Sequence, residues 1–159
     1  LAFAAHSLWP KAYLTASDID PVSVEVTSGN ANANNVSCGV SQGQIALCVA
    51  EGTAHPLIAS RAPYDLVTAN ILAGPLIELA PSLAEIVDDG GSLILAGLLN
   101  TQAKAVVWAY RRQGFRLQKR VDRGDWPCLW LVKRRSYSWK RPTRATGRTS
   151  QPPGDFGTW

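Results

Sequence analysis

The feature that most constrains the fold is a short apolar segment, YDLVTANILA, at Tyr64–Ala73. Its centre, residues 66–69, is too short for a helix and lies between apolar segments with helical spacing, which predicts a buried strand of a parallel sheet. In open α/β sheets ligands bind at the carboxyl ends of the strands, where Asn70 falls. The Asn70 amide offers an acceptor oxygen and a donor NH2 group, which suits the binding of an amine. Asn is also a preferred N-cap, so the alternative is that Asn70 only caps the following helix.

Apolar periodicity predicts an alternation of helices and strands along the rest of the chain. The predicted helices span 1–8, 22–34, 74–87 (with a kink expected at Pro81) and 101–113. The predicted strands span 13–17, 44–50, 66–69, 92–97, 115–121 and 126–133. Between them we expect a loop at 51–63 with a short turn near 56–59, and a turn at 88–91. The pattern indicates an α/β fold whose sheet is mainly parallel and ends in an antiparallel hairpin at its edge.

Charge is unevenly placed along the 159 residues. Residues 133–159 hold seven of the 16 Lys and Arg and one of the 12 acids, which leaves −2 for residues 1–132 and gives the tail +6. On this average the body is not a basic nucleic-acid surface, and only the tail is. The tail is rich in Ser, Thr, Pro, Gly and Arg, which predicts disorder. We therefore expect one domain at 1–134 and a basic, disordered tail at 135–159.

Composition excludes several classes of protein. The three cysteines (Cys38, Cys48 and Cys128) form no CxxC pair, and a sparse odd count is typical of reduced thiols in an intracellular protein. Neither His6 nor His55 lies in a ligand pattern, so no metal site is predicted. No apolar run approaches the roughly 20 residues of a membrane span. We therefore expect a cytoplasmic protein with no metal and no membrane partner.

Polar residues follow three of the predicted strands: Asp18, Glu51 and Asn70. The Asp18 carboxylate can accept both hydroxyls of a ribose; the alternative is an exposed acid or an N-cap, a role that Asp20 already fills. Glu51 would meet an exocyclic amine of the base or a backbone group, or would equally be a solvated loop acid. At one edge of a sheet, the three residues would place a nucleoside site beside an amine acceptor.

Four segments together resemble the bacterial ribosomal protein L11 methyltransferase family (PrmA), from Leu1 to about Arg134. They are ASDIDPVSVEV at 16–26, YDLVTANILAGPLIELAP at 64–81, GGSLILAGLL at 90–99 and GDWPCLWLVKR at 124–134. The resemblance implies a class I methyltransferase with a Rossmann-like fold that uses S-adenosyl-L-methionine (SAM). It also implies transfer of methyl groups to lysine ε-amines and an N-terminal α-amine of a large-subunit ribosomal protein.

The resemblance also implies roles for individual residues. Those it assigns to the cofactor are Asp18, Ile19, Glu51, Gly52 and Asn70. Asp18 would bind the SAM ribose, and Glu51 and Gly52 would lie near the adenine. Asn70, with the backbone of Ile71 and Leu72, would hold the target nitrogen. Positioning and desolvation of a neutral amine can supply much of the rate, so no covalent nucleophile is expected.

The chain departs from the family at its start. The family begins this domain with a strand and a glycine-rich loop, whereas this sequence starts at LAFAA, just past them. The missing strand would lie between the strand that ends at Asp18 and the strand that ends at Asn70. We therefore expect this chain alone to be inactive and to bind SAM weakly. The alternative function is a non-catalytic Rossmann-like module associated with ribosomes or nucleic acid, to which the basic tail would add a weak RNA contact.

Overall fold

The computed structural model describes residues 1–135, which form six helices and six strands. The helices are α1 (Ala2–Leu8), α2 (Pro21–Ala33), α3 (Pro56–Arg61), α4 (Ala73–Glu78), α5 (Ala80–Ile86) and α6 (Ala103–Arg112). The strands are β1 (Leu14–Asp18), β2 (Ile45–Val49), β3 (Tyr64–Asn70), β4 (Val87–Ala96), β5 (Phe115–Arg123) and β6 (Trp126–Lys133). The α/β class is confirmed. The prediction of a disordered tail concerns residues that, beyond Arg135, lie outside the described part of the chain.

The strands form two sheets where the sequence pattern predicted one. β1 and β2 pair in parallel, and the other four strands follow the order β3-β4-β6-β5. β3 and β4 are parallel, whereas β6 is antiparallel to both β4 and β5, which confirms the hairpin. Within residues 1–135 no hydrogen-bonded ladder joins β1 to β3, since β1 pairs with β2 and β3 pairs with β4. This separation is where the family resemblance implied a further strand.

Side-chain contacts join the two sheets. At the starts of the strands, the Tyr64 hydroxyl on β3 lies 3.5 Å from the Thr15 hydroxyl on β1 and donates to Ile58 O of α3 at 3.1 Å. Gly52, which follows β2, lies directly against the Leu79 side chain, between α4 and α5. The two sheets therefore contact each other at the starts of β1 and β3 and through the loop after β2.

Three local predictions differ from the structure, two of them in part. The helix predicted at 74–87 is two helices that meet at Leu79, because Pro81 has no N–H for a continuous helix and suits the first turn of a new one. The turn predicted at 88–91 is an irregular part of β4, in which Val87 pairs with Tyr64 and Ser92 with Leu66. The predicted loop at 51–63 contains α3, which His55 caps through Nδ1.

The main core lies between α4–α6 and one face of the four-stranded sheet. The α6 residues that face it have the spacing of one helix face and are Ala103, Val106, Val107 and Tyr110. Tyr110 is fully buried, its ring packs edge-on against Phe115 at 5.8 Å, and its hydroxyl donates to Leu76 O at 2.8 Å. This hydrogen bond satisfies the one polar group of the side chain and ties α6 to α4.

The outer strand β5 contains a bulge. Leu117 pairs with Leu131 but Lys119 pairs with Trp130, so Gln118 is an extra residue. Beyond the bulge Arg120 pairs with the buried Leu129 and therefore lies on the α6 face of the sheet.

Candidate active site

The first predicted site residue, Asp18, ends β1 and is exposed. Its Oδ1 accepts the backbone N–H of Asp20 at 3.0 Å, and its carbonyl accepts Ala50 N–H at 2.9 Å across to the segment after β2. Asp20 caps α2 by accepting from Val22 N–H and from the Ser23 hydroxyl, both at 3.0 Å. The cap is therefore filled by Asp20, as expected, and the Asp18 carboxylate is held by one local bond with its second oxygen available. The neighbouring Ile19 is 66% exposed, an apolar surface beside that carboxylate.

The loop after β2 carries Glu51 and Gly52. Glu51 is exposed, and among residues 1–135 its carboxylate has no hydrogen-bond partner. Gly52 has a φ of +60°, a conformation that favours glycine, and a Cβ there would collide with Leu79 Cδ2. The tight contact keeps this loop against the helices that follow β3. Because β1 and β2 are adjacent parallel strands, Asp18 and Glu51 lie at neighbouring strand ends.

Asn70 ends β3, is exposed, and does not cap a helix. α4 begins at Ala73 with Leu72 as its N-cap residue and no side-chain cap, so the capping alternative for Asn70 is wrong. Within the described residues the Asn70 amide has no hydrogen-bond partner, which leaves its acceptor oxygen and donor NH2 group open to a ligand. Leu72 is 71% exposed, and its carbonyl accepts Leu76 N–H at 3.1 Å as part of α4.

The backbone after Asn70 is fixed by a residue that the sequence pattern did not single out. Asn70 pairs with Ala96, the last residue of β4, and Gly97 follows with a φ of +83°. A Cβ on Gly97 would lie 2.6 Å from Ile71 O and 2.8 Å from Ile71 N. Only glycine permits this approach, so Gly97 sets the position of the Ile71 backbone. A glycine directly after an apolar strand, SLILAG, is the sequence signal that could have found it.

The arrangement offers a carboxylate, an acidic loop and an amide at strand ends on one side of the molecule. Asp18 and Glu51 lie on the two-stranded sheet, and Asn70 lies on the facing edge of the other sheet. Within residues 1–135 no group of three His, Cys, Asp or Glu residues is placed to hold a metal. In the same part of the chain no helix has both the length and the apolar character needed to cross a bilayer.

Comparison of the sequence with known proteins gives one consistent result. The family described as ribosomal protein L11 methyltransferase (PrmA) matches residues 1–134. A protein named ribosomal protein L11 methyltransferase from Brucella abortus strain S19 is 46% identical over 132 residues, covering 83% of this chain and 44% of that protein. One from Mesorhizobium japonicum is 43% identical over 116 residues, covering 73% of this chain and 38% of that protein. The chain thus spans less than half the length of these curated relatives.

The fold matches solved structures of the same kind. The ribosomal protein L11 methylase of Lactobacillus delbrueckii subsp. bulgaricus superposes with a TM-score of 0.68 at 29% identity, covering 84% of this chain and 64% of that one. A putative methyltransferase from Thermoplasma acidophilum gives 0.65 at 15% identity, covering 86% and 63%, and shows the Rossmann-like class I methyltransferase fold alone. With the family match extending over residues 1–134, the chain belongs to the ribosomal protein L11 methyltransferase (PrmA) family.

Proposed function

We propose that this chain carries the cofactor-binding and amine-positioning residues of a cytoplasmic SAM-dependent protein methyltransferase. Its substrate is a ribosomal protein of the large subunit, and the acceptors are lysine ε-amines and the N-terminal α-amine. The observation that carries the proposal is the exposed Asn70 amide, which has no capping role and is followed by a backbone locked by Gly97. The family membership supports the reaction class.

The polar and apolar residues at the ends of β1 and β2 fit a nucleoside cofactor. Asp18 presents an acceptor-only carboxylate for ribose hydroxyls, and the exposed Ile19 offers an apolar surface beside it. Glu51 and Gly52 would lie near the adenine. SAM supplies an electrophilic methyl group on a sulfonium. These residues bind and orient that molecule and take no part in proton transfer.

The acceptor side has to select a neutral amine. A lysine with a pKa near 10.4 is mostly protonated at pH 7, so the site has to admit the minor neutral form, which has already given its proton to water and whose lone pair forms the new N–C bond. The Asn70 amide oxygen accepts one N–H and directs the lone pair towards the cofactor side. The backbone of Ile71 adds a second fixed contact, whereas the Leu72 carbonyl already accepts a bond within α4. Positioning of this kind supplies rate without a general base.

The separation of the two sheets limits binding by residues 1–135 alone. The facing edges of β1 and β3 share no strand-to-strand hydrogen bonds, and only side chains bridge them at their starts. A cofactor that must contact both Asp18 and Asn70 would have to hold the two edges together. We therefore propose that this chain by itself binds SAM weakly and transfers methyl groups poorly.

Isothermal titration of SAM into two proteins tests the proposal. One is this chain; the other has the upstream strand and glycine-rich loop implied by the family resemblance fused before Leu1. We expect the fused form to bind SAM, and Asp18→Ala to weaken binding at least about tenfold, since a ribose carboxylate makes two charge-assisted bonds. Asp65→Ala, which removes an exposed acid at the start of β3, is the matched control and should leave binding unchanged.

Methyl transfer to purified ribosomal protein L11, followed by intact-mass spectrometry, tests the acceptor side in the fused form. Asn70→Ala should reduce turnover by about two orders of magnitude and weaken SAM binding by a much smaller factor, because it misplaces the amine but removes only one of the contacts to the cofactor. Asn32→Ala, an exposed asparagine on α2, is the control. If both proteins fold and neither binds SAM, the methyltransferase proposal is wrong and the non-catalytic binding module replaces it.

A further inference from the structure

The described body of the protein has two oppositely charged halves. Residues 1–100 contain two of the basic residues and nine of the acids, a formal charge of −7, whereas residues 101–135 contain ten basic residues and two acids, a charge of +8. The second segment is α6, β5 and β6, at the far edge of the sheet from Asn70. The value of −2 for residues 1–132 is therefore an average over two opposite halves and hides a basic surface on the folded body.

A groove of about 290 Å³ lies between α6 and the hairpin within this basic half. Its floor is apolar, formed by Val107, Leu117 and Leu129 among others. Its rim carries Lys104 and Arg111 from α6 and Arg120 from β5. The β5 bulge places Arg120 on this face of the sheet, so cations border the groove from both sides.

Two of the three cations on the rim have no ion-pair partner within the described residues. Neither Lys104 nor Arg111 forms an ion pair there, and both are exposed. Arg111 lies in the last turn of α6, where a cation interacts favourably with the helix dipole. Lys104 lies in the first turn, where the same interaction is unfavourable. Arg120 is held in place by Asp122 at 2.7 Å and by Asn100 Oδ1 at 2.8 Å. The helix thus keeps a cation at a position that weakens it, which indicates a role outside the fold.

An aromatic side chain lies on the same rim. Trp108 is 56% exposed and lines the groove between Lys104 and Arg111 along α6. Exposed aromatic side chains beside cations are a feature of surfaces that bind single-stranded nucleic acid, where unstacked bases lie on them. On the other face of β5, the exposed Arg123 pairs with Trp126, which is 55% exposed, and the exposed Lys119 pairs with the partly buried Trp130.

From this geometry we infer that the groove between α6 and β5 binds single-stranded nucleic acid. The backbone phosphates contact Lys104, Arg111 and Arg120, and a base stacks on Trp108 over the apolar floor. A duplex would offer phosphates but no free base for the indole. In the sheet order β3-β4-β6-β5, the β5 rim of the groove, which carries Arg120, lies three strand spacings of about 4.8 Å, roughly 14 Å, from β3. This rim is therefore separate from the strand end at Asn70.

Fluorescence anisotropy with a labelled oligouridine of about 12 nucleotides tests this inference on the full chain at several salt concentrations. The double substitution Lys104→Gln with Arg111→Gln should weaken binding about tenfold. It should also lower the slope of log affinity against log salt by about 1.4, since each lost phosphate contact removes about 0.7. Trp108→Ala should weaken binding about fivefold to tenfold at every salt concentration, because stacking is not a counterion effect.

The controls separate this surface from other sources of affinity. Lys11→Gln removes an exposed cation outside the basic half and should change affinity less than twofold. Replacement of Lys140, Arg141, Arg144 and Arg148 by Gln should lower affinity while leaving the Trp108 effect intact. If the tail replacement abolishes binding and the α6 variants do not, the groove is not the site. If polyglutamate competes as well as oligouridine and Trp108→Ala has no effect, the surface binds an acidic protein and the inference is overturned. Circular dichroism confirms that the variants, all at exposed body positions or in the tail, remain folded.

Discussion

The four-stranded sheet and the two-stranded sheet are packed very differently. A cluster of 16 buried residues covers one face of the four-stranded sheet, whereas the cluster beside β2 has three: Cys48, Ala50 and Ile58. No residue of α1 is buried, and α2 buries only Ala31. The side that carries Asn70 is thus built on a complete core, and the side that carries Asp18 is not. On the proposed function, the strand end that positions the amine is therefore held more firmly than the strand end that binds the cofactor.

The largest difference is expected for leucine truncation in the two sheets. Leu95 on β4 is fully buried, and Leu95→Ala should lower the free energy of unfolding by about 3 kcal/mol because it leaves a cavity in the main core. Leu47 on β2 is half-buried beside an open groove, and Leu47→Ala should cost about 1 kcal/mol. Urea unfolding followed by circular dichroism measures both. Equal losses would mean that the two-stranded sheet is as well packed as the other.

Two glycines test how rigidly the backbone after Asn70 is held. Gly97→Ala pays both for a positive φ and for a clash with the Ile71 backbone, a loss of about 2–3 kcal/mol. Gly114→Ala has a similar φ of +86° but open space at its Cβ, so it should lose only about 1 kcal/mol. Urea midpoints give the energies, and the NMR shift of the Ile71 amide should move in the first variant alone. An unmoved Ile71 amide in Gly97→Ala would show that Gly97 does not position that backbone.

Two tyrosines make the same kind of hydrogen bond in the two regions. Tyr110→Phe removes a fully buried donor to Leu76 O and should cost about 1–1.5 kcal/mol, whereas Tyr64→Phe removes a partly buried donor to Ile58 O and should cost about 0.5 kcal/mol. Burial raises the pKa of Tyr110, so the stability that its neutral phenol contributes is complete below the unfolded-state pKa near 10 and is lost as pH rises above it. Unfolding at pH 9 and 11 should show a smaller alkaline loss in Tyr110→Phe than in the parent protein. The same loss in both would assign it to other groups.

The smallest expected effect is a difference in thiol exposure. Burial raises the pKa of both Cys48 on β2 and Cys128 on β6, so both should react slowly with a disulfide reagent at neutral pH. In a Cys38→Ser background, which removes the exposed thiol, low urea should make Cys48 reactive before Cys128. In the folded protein Cys48 is the more buried of the two, so its earlier reaction would report opening of the two-stranded sheet. Reaction of Cys128 first would contradict the comparison.

Local sequence predicted the elements well where burial and periodicity agree. The strand ending at Asn70, the Asp20 cap and the terminal hairpin all depend on contacts within a few residues or on an uninterrupted apolar pattern. The class of fold followed from their alternation. The separation between β1 and β3 was anticipated through the family resemblance and not from periodicity.

What sequence could not supply depends on distant partners. DDGG at 88–91 has the composition of a turn, but pairing of Val87 with Tyr64 extends β4 through it. The capping alternative for Asn70 was settled only by where α4 begins, and the role of Gly97 only by how closely Ile71 passes it. The Trp108 groove was not predicted because the charge was averaged over residues 1–132. In the fold, the positive charge is concentrated on α6, β5 and β6. The cofactor and acceptor roles of individual residues stay predictions.

The opposed halves of the body also give the molecule a large permanent electric dipole. In dilute buffer the negative end of one copy attracts the positive end of another, because ions screen such fields only over about 10 Å at 0.1 M. Copies would then stack head to tail without any shaped interface, and the protein would be least soluble at low ionic strength. Added salt would disperse these assemblies, so the dependence of solubility on salt would report the separation of charge in the molecule without any ligand.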